Sequence, residues 1–106
     1  MTKPMFASIR KYSGAPLLSD ELVKHQEEIK TVLRPIRGLQ AFYLVKTTDG
    51  VVSMTLCDDK AGVDESIRVE ANWLKAKLPT FSNHAPETVT GEVRIQLEGQ
   101  PVKVAV

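Results

Sequence analysis

The sequence predicts an α+β fold of the ferredoxin-like class, with element order βαββαβ and a four-stranded antiparallel sheet. Three observations support this class. First, 106 residues with 42% hydrophobic and 25% charged side chains are typical of an ordinary globular domain, so we expect one domain over residues 1–106. Second, period-two and helical patterns follow one another in the order strand, helix, strand, strand, helix, strand. Third, Asp49-Gly50 between two apolar runs indicates an antiparallel hairpin at the centre of that order.

The first half of the chain contains one predicted strand and one predicted helix. Residues Met5 to Tyr12 alternate two sets of side chains, as a strand requires. Ser19 stands at the expected N-cap of a helix, and Pro35 with Gly38 ends that helix near Arg34. The apolar stripe of this helix comprises Leu22, His25, Ile29, Val32, Leu33 and Ile36.

The central hairpin leads into a second predicted helix. Its strands are Leu39 to Lys46 and Val51 to Cys57. Asp58 or Asp59 caps the helix, which runs to about Lys77. The expected buried stripe of this helix is Val63, Ile67, Ala71, Leu74 and Leu78.

Two alternating segments complete the chain. Thr88 to Leu97 has the period of a strand and is the fourth strand of the predicted sheet. Pro101 to Val106 also alternates, so this tail can add an edge strand either to its own sheet or to that of a partner.

The hairpin register divides the sheet into two faces. A two-residue turn at Asp49-Gly50 places Thr48 opposite Val51, whereas a longer turn shifts the register and can exchange the set of one strand. The more apolar face, expected to contact the helices, contains Ala41, Tyr43, Val45, Val52, Met54 and Leu56. The other face contains Phe6, Tyr12, Phe42, Leu44, Val51 and Cys57 beside Ser8, Arg10, Ser53, Thr55 and Arg94. Because a contiguous apolar patch is rarely left in water, we expect a homodimer that forms through this second face.

Composition and charge exclude several classes of partner. A formal net charge of +1 gives no basic field for a nucleic acid. No apolar run approaches the ~20 residues that cross a bilayer, and Met1 to Phe6 is too short for a signal peptide, so we expect a cytoplasmic protein without membrane contact. Two distant histidines and one cysteine do not make a metal site, and no glycine-rich phosphate loop follows a strand. We therefore expect neither a metal nor a cofactor.

Several short motifs resemble the dimeric α+β barrel superfamily and, within it, the antibiotic-biosynthesis monooxygenase family. The motifs are Phe6 to Tyr12, Gly38 to Tyr43, Asp58 to Gly62, Glu65-Ser66, Trp73-Leu74 and Pro86 to Val93. Together they cover most of the chain. The resemblance implies that two ferredoxin-like subunits join their sheets into one barrel.

The resemblance also implies a set of substrate-binding residues. Cofactor-independent oxygenases of this family place Asn, Trp, Tyr and Arg side chains in a pocket between sheet and helices, where they orient an aromatic substrate that itself activates oxygen. The matching residues here are Asn72, Trp73, Tyr43 and Arg94. Asn72 and Trp73 are adjacent, so their side chains point about 100° apart on a helix. Packing at the edge of the helix is the alternative for Trp73, and no catalytic residue follows from the resemblance.

Arg10 is the fifth candidate for substrate binding. Both Arg10 and Arg94 are predicted on the face without helices, and a buried guanidinium needs a carboxylate or an anionic ligand. An intersubunit ion pair with Glu92 and a ligand anchor are both open at this point.

Haem-degrading relatives have a tryptophan near the end of the second helix and a histidine after it. Trp73 and His84 match these positions, whereas Ser8 or a neighbour replaces the expected asparagine of the first strand. The alternative for His84 is a solvated position in a proline-rich loop.

Two hypotheses about function follow. The first is a cofactor-independent monooxygenase-like enzyme that acts on a small hydrophobic or aromatic compound. The second is a non-catalytic protein of the same fold that binds a small ligand or acts in a stress response. An enclosed pocket favours the first hypothesis, and a filled interior favours the second.

Overall fold

The computed structural model describes residues 5–83 and 85–99. Its strands are β1 (Phe6–Tyr12), β2 (Leu39–Lys46), β3 (Val51–Cys57) and β4 (Glu87–Glu92). Its helices are α1 (Leu18–Lys24), α2 (Gln26–Leu33), α3 (Lys60–Lys77) and a short 3-10 helix, Pro79–Ser82. The strands form one antiparallel sheet in the order β2-β3-β1-β4. This order confirms the ferredoxin-like fold class.

The central part of the chain follows the sequence prediction closely. β2 and β3 have the predicted bounds, and α3 ends at the predicted Lys77. Asp59 is the N-cap of α3, because its Oδ1 accepts a hydrogen bond of 2.9 Å from the amide of Gly62. The cap satisfies one of the amides that the first turn of a helix leaves without a partner.

The first predicted helix is wrong in two respects. It is divided into α1 and α2 at His25, whose φ of −105° and ψ of 17° leave the helical region. Leu17 stands at the N-cap, and Ser19 lies inside α1 with 6% of its surface exposed. Ser19 therefore contributes to packing and not to capping.

The fourth strand is shorter than predicted and ends at Glu92. Glu92 pairs with Phe6, the first residue of β1, and one further backbone hydrogen bond, from the Val93 amide to the Met5 carbonyl at 2.7 Å, ends the pairing. Residues 93–99 carry no regular secondary structure, and within them Ile95 and Leu97 are more than 90% exposed. The predicted edge strand at Pro101 to Val106 lies outside the described residues.

The hairpin between β2 and β3 uses a four-residue loop in place of the predicted two-residue turn. The amide of Thr47 donates to the carbonyl of Gly50 at 2.9 Å, and Lys46 pairs with Val51. The register differs from the prediction by two residues. Because side chains alternate with a period of two, each strand keeps its predicted division into two sets.

The predicted side of the sheet for the helices is wrong. The alternate β3 residues Val51, Ser53, Thr55 and Cys57 are buried on the helix side. The side without helices, called the open face below, exposes 43–61% of its large side chains Ile9, Tyr43, Val45 and Val89. Helix α3 lies so close to the sheet that a Cβ atom on Gly62 would come within 2.9 Å of the Cys57 Cβ. The small residue Gly62 thus lets α3 pack closely on this side of the sheet, although the open face is more apolar.

The core lies between the helices and the sheet. Its buried cluster consists of Leu18, Leu22, Val51, Trp73 and Leu74. A search of the described residues finds no helix with the length and hydropathy to cross a bilayer.

Gly50 provides a direct test of the hairpin geometry. A Cβ atom at this position would lie 1.9 Å from the backbone oxygen of Tyr12, so we expect Gly50→Ala to destabilise the fold by about 3 kcal/mol or more. At Gly99 a Cβ atom would meet no atom within 4 Å, and Gly99→Ala should change the stability by less than ~1 kcal/mol. Urea unfolding of both variants measures the difference, and equal midpoints would contradict the described loop.

Candidate functional site

A cleft opens between the helices and the covered face of the sheet. The free space inside it is about 50 Å³, and the figure rises to about 500 Å³ only when the open, solvent-filled mouth is included. The apolar lining consists of Leu18, Leu22, Ile29, Val32, Leu33, Phe42, Leu44 and Leu74. The remaining lining residues carry polar atoms: Tyr12, Ser53, Glu70 and Trp73. An apolar cleft with a few polar groups is the usual form of a small-molecule site.

Glu70 is the charged group of the cleft, and its carboxylate is held from the sheet. The Ser53 hydroxyl donates to Glu70 Oε1 at 3.0 Å, and the Thr55 hydroxyl donates to Oε2 at 3.4 Å. The Arg10 Nη1 atom lies 3.9 Å from Oε1, and the two side chains are only 4% and 10% exposed. Three strand residues therefore fix the orientation of one carboxylate on α3.

Helical spacing explains how α3 brings Glu70 to the cleft. Val63, Ser66, Glu70 and Trp73 follow one another at intervals of three or four residues, so they share one face of the helix. Val63, Ser66 and Trp73 are buried. Sequence reasoning missed Glu70, because the predicted buried stripe passes through Ile67 and Ala71 whereas the observed one passes through Ser66 and Trp73. An acidic residue within the correct stripe would have signalled a partnered or functional carboxylate.

Burial changes the acid–base properties of the cleft. Desolvation raises the pKa of Glu70, while Arg10 and the hydroxyls of Ser53 and Thr55 oppose that rise. Desolvation also raises the pKa of Tyr12, against which the Arg10 guanidinium lies 5.5 Å from the ring centroid. Glu70 is thus a better proton acceptor, once ionised, than an exposed glutamate.

The Arg10 cluster has additional hydrogen-bonding capacity. Arg10 Nη1 donates to the carbonyl of Ile67 at 3.5 Å. Within residues 5–83 and 85–99, Arg10 Nε and the Ser8 hydroxyl are buried without a hydrogen-bond partner. Such unpaired polar atoms are rare in native proteins and cost stability unless a further group reaches them.

Trp73 is anchored at the other end of the cleft. Its Nε1 donates to Glu28 Oε1 at 3.2 Å, and Lys77 Nζ lies 3.2 Å from the same oxygen. The His25 ring packs edge-on against the indole, with ring centroids 5.5 Å apart. The hydrogen bond from Lys77 is the main cause that lowers the pKa of Glu28. These contacts fix the orientation of the Trp73 indole between α2 and α3.

One of the five predicted binding residues lines the cleft, and a second pairs with a lining residue. Trp73 lines the cleft, and Arg10 lies behind it on the helix side, where Glu70 takes the role that the sequence prediction gave to Glu92. Tyr43 is 54% exposed on the open face, Asn72 is exposed on α3, and Arg94 is exposed beyond the end of β4. The predicted face for Arg10 is therefore wrong, and binding by all five stays a prediction.

The remaining candidates are easily placed. His84, the residue matched to haem-degrading relatives, lies outside the described residues. Cys57 is buried in β3, and burial raises the pKa of its thiol, so it is a poor nucleophile. Across the part of the chain that the structure describes, no group of three His, Cys, Asp or Glu side chains is suited to a metal ion.

Several solved structures have the same fold as this chain. NE2512, a protein of unknown function from Nitrosomonas europaea, is 15% identical, has a TM-score of 0.69 and matches over 94% of this chain and 100% of its own. A monooxygenase from the gene ActVA-Orf6 of Streptomyces coelicolor, in complex with Nanaomycin D, is 16% identical with a TM-score of 0.64 over 93% and 95%. A dimeric ferredoxin-like protein from an uncultured marine organism is 15% identical, with a TM-score of 0.63 over 92% and 94%.

These likenesses confirm the resemblance to antibiotic-biosynthesis monooxygenase-like proteins at the level of the fold. No protein-family model matches the chain, and no curated protein matches its sequence. At 15–16% identity, these likenesses show a shared fold and do not show a shared activity.

The raised pKa of Glu70 has a consequence for stability. As the pH rises above 4.5, the ordinary pKa of this side chain, the folded protein keeps the Glu70 proton longer than the unfolded chain does. The folded state then binds more protons, so the free energy of unfolding falls with pH until Glu70 has ionised. We expect the wild type to lose stability relative to Glu70→Gln across this range.

Urea unfolding from pH 4 to pH 8 measures this difference. Glu65→Gln is the matched control, because Glu65 lies on the same helix and pairs with Arg68 at the surface. The difference in free energy of unfolding between wild type and Glu70→Gln should change with pH. If it stays constant, or grows in favour of the wild type as the pH rises, the pKa of Glu70 is not raised in the folded protein.

Proposed function

We propose that this protein catalyses the cofactor-independent oxygenation of a small hydrophobic, aromatic compound. The observation that carries the proposal is the cleft between helices and sheet, whose apolar walls are interrupted by only four residues with polar side-chain atoms. Such walls favour a flat apolar ligand, and the Trp73 indole offers an aromatic surface for stacking.

The chemistry requires a substrate that supplies its own electrons. In the oxidation of an activated CH2 carbon by O2, the carbon loses two hydrogens and gains one oxygen as a carbonyl, and the second oxygen leaves as water. The reaction balances without a flavin or a metal. The protein then contributes binding, orientation and exclusion of bulk water.

The fold supports this class of activity. One protein of the same fold is described as a monooxygenase and holds Nanaomycin D. The present chain contains a cleft whose lining includes Tyr12 and Trp73. The alternative is a non-catalytic protein of the same fold, and a measurement of turnover distinguishes the two.

We further propose that the protein is a homodimer formed through the open face. Ile9, Tyr43, Val45 and Val89 present one apolar surface there, with 43–61% of each side chain exposed. One neighbour with this fold is described as dimeric. Two-fold packing of identical apolar surfaces removes them from water, and Ile95 and Leu97 of the adjoining segment add apolar groups to the interface.

A cytoplasmic location belongs to the same proposal. The single cysteine, Cys57, is free and buried, which suits a reducing compartment.

Oxygen consumption tests the proposed activity. With anthrone or 1,8-dihydroxyanthrone, we expect the protein to consume one O2 for each ketone formed and to exceed the rate in buffer by at least about 100-fold. An oxygen electrode with product analysis measures both quantities. Binding of these compounds without acceleration would favour the ligand-binding alternative, and neither binding nor acceleration would contradict the function of the cleft.

Charge substitution tests the proposed dimer. Tyr43→Lys places a cation in the open face and should convert the dimer to a monomer, because an unpaired buried charge costs several kcal/mol. Val23→Lys is the matched control, since Val23 on α1 is 53% exposed and Tyr43 is 54% exposed. Sedimentation velocity reports the mass of each variant. A monomeric wild type, or a Tyr43→Lys variant that stays dimeric, would contradict the proposal.

A further inference from the structure

Glu70 occupies a position that packing alone does not explain. Glu70 is one of the residues that line an otherwise apolar cleft, while Ser53, Thr55 and Arg10 hold its carboxylate from the sheet side. A carboxylate surrounded on all sides would serve only as a partner for Arg10. Because Glu70 also faces the cleft, it can accept a hydrogen bond from a molecule bound there.

We propose that Glu70 is the hydrogen-bond and proton acceptor for the ligand of this cleft, and that the ligand is a neutral aromatic compound with an acidic O–H or C–H group. The inference deepens the proposed oxygenase function and rests on the same cleft. It adds a specific catalytic residue, which the resemblance to known oxygenases does not supply.

The charge of the cleft decides the substrate class. Arg10 neutralises Glu70 from behind and does not line the cleft, so no cation faces a bound molecule among the lining residues. An anionic ligand would meet the Glu70 carboxylate and apolar side chains, at a large desolvation cost. A phenol, enol or carbon acid would instead donate to Glu70 and arrive without a charge.

The proton transfer completes a balanced reaction. The Glu70 carboxylate takes a proton from the activated CH2 group, which leaves a carbanion and a neutral carboxyl. The carbanion transfers electron density to O2 and forms a C–O bond, and the resulting peroxide anion takes the proton back from Glu70. That return of the proton restores the carboxylate, and the hydroperoxide then loses water, with the second hydrogen of the original CH2 carbon, to give the ketone.

Glu70 is the group whose protonation state is expected to set the pH dependence of the reaction. The charged and titratable groups that face it are Arg10 and Tyr12 from β1 and Cys57 from β3. Burial raises the pKa of Tyr12 and of Cys57, so both remain neutral where Glu70 ionises. A rate that rises with pH and then levels off is the expected profile for a general base of this kind.

Ligand binding tests the substrate class without any need for turnover. Isothermal titration calorimetry compares 5-indanol, indane and indane-5-carboxylate, which share one ring system and differ in the donor group. We expect the wild type to bind 5-indanol at least about tenfold more tightly than either of the other two. In Glu70→Gln the preference for the alcohol over the carboxylate should disappear, whereas Glu65→Gln should keep it. Equal binding of alcohol and carboxylate by the wild type would overturn the inference.

Kinetics test the proton transfer. With 1,8-dihydroxyanthrone as substrate, Glu70→Gln should lower kcat by about 100-fold and remove the rise of the rate with pH. Glu70→Asp should recover part of the rate with a shifted pH profile. If Glu70→Gln kept both the rate and the pH profile of the wild type, Glu70 would not be the acceptor.

A double variant and a comparison of binding with turnover separate the role of Glu70 from effects on folding and on oxygenation. If Glu70→Gln fails to fold because Arg10 loses its partner, Arg10→Met combined with Glu70→Gln removes both charges and permits the same binding comparison. If the wild type prefers 5-indanol but oxidises no anthrone, the oxygenase proposal fails while the assignment of Glu70 as the ligand's acceptor stands.

Discussion

The buried ion pair between Arg10 and Glu70 is the interaction on which the architecture of this protein depends. It joins the central strand β1 to α3, and both side chains are at most 10% exposed. Two opposite charges out of water stabilise a fold only when their geometry satisfies them, whereas loss of one partner leaves a costly buried charge. The hydroxyls of Ser53 and Thr55 donate one further hydrogen bond to each oxygen of the carboxylate. The position of α3 over the sheet is thereby coupled to the chemistry of the cleft.

The element order and the strand bounds could be predicted because they depend on local patterns. Alternation defines β2 and β3, and Asp59 has the side chain and spacing of an N-cap. The face that meets the helices could not be predicted in the same way. Hydropathy ranks the open face as the better core, but α3 contacts the other face, where Gly62 permits a close approach and Glu70 satisfies the hydroxyls.

The candidate site could be predicted only in part, because it also depends on which face of the sheet meets the helices. Trp73 was found through its position near the end of the second helix, and it lines the cleft. Tyr43 was assigned to the pocket by resemblance, but it alternates with the residues of β2 that line the cleft and so lies on the opposite face. Arg94 lies beyond the last paired residue of β4. Glu70 has meaning only once β1 and β3 are seen beside α3, because its partners are 15 to 60 residues away in the chain.

The two sides of the sheet therefore have different tasks. One side holds a charged and hydroxyl-rich centre beneath the helices, and the other exposes the apolar side chains of Ile9, Tyr43, Val45 and Val89. The account is tested most directly by the titration of the Glu70 side-chain carboxyl carbon, followed by 13C nuclear magnetic resonance from acid to neutral pH. The account predicts a midpoint above 4.5, the ordinary value for this group, because burial raises the pKa of Glu70 by more than Arg10 and the two hydroxyls lower it. A midpoint at or below 4.5 would show a solvated or fully compensated carboxylate and would contradict the role assigned to the cleft.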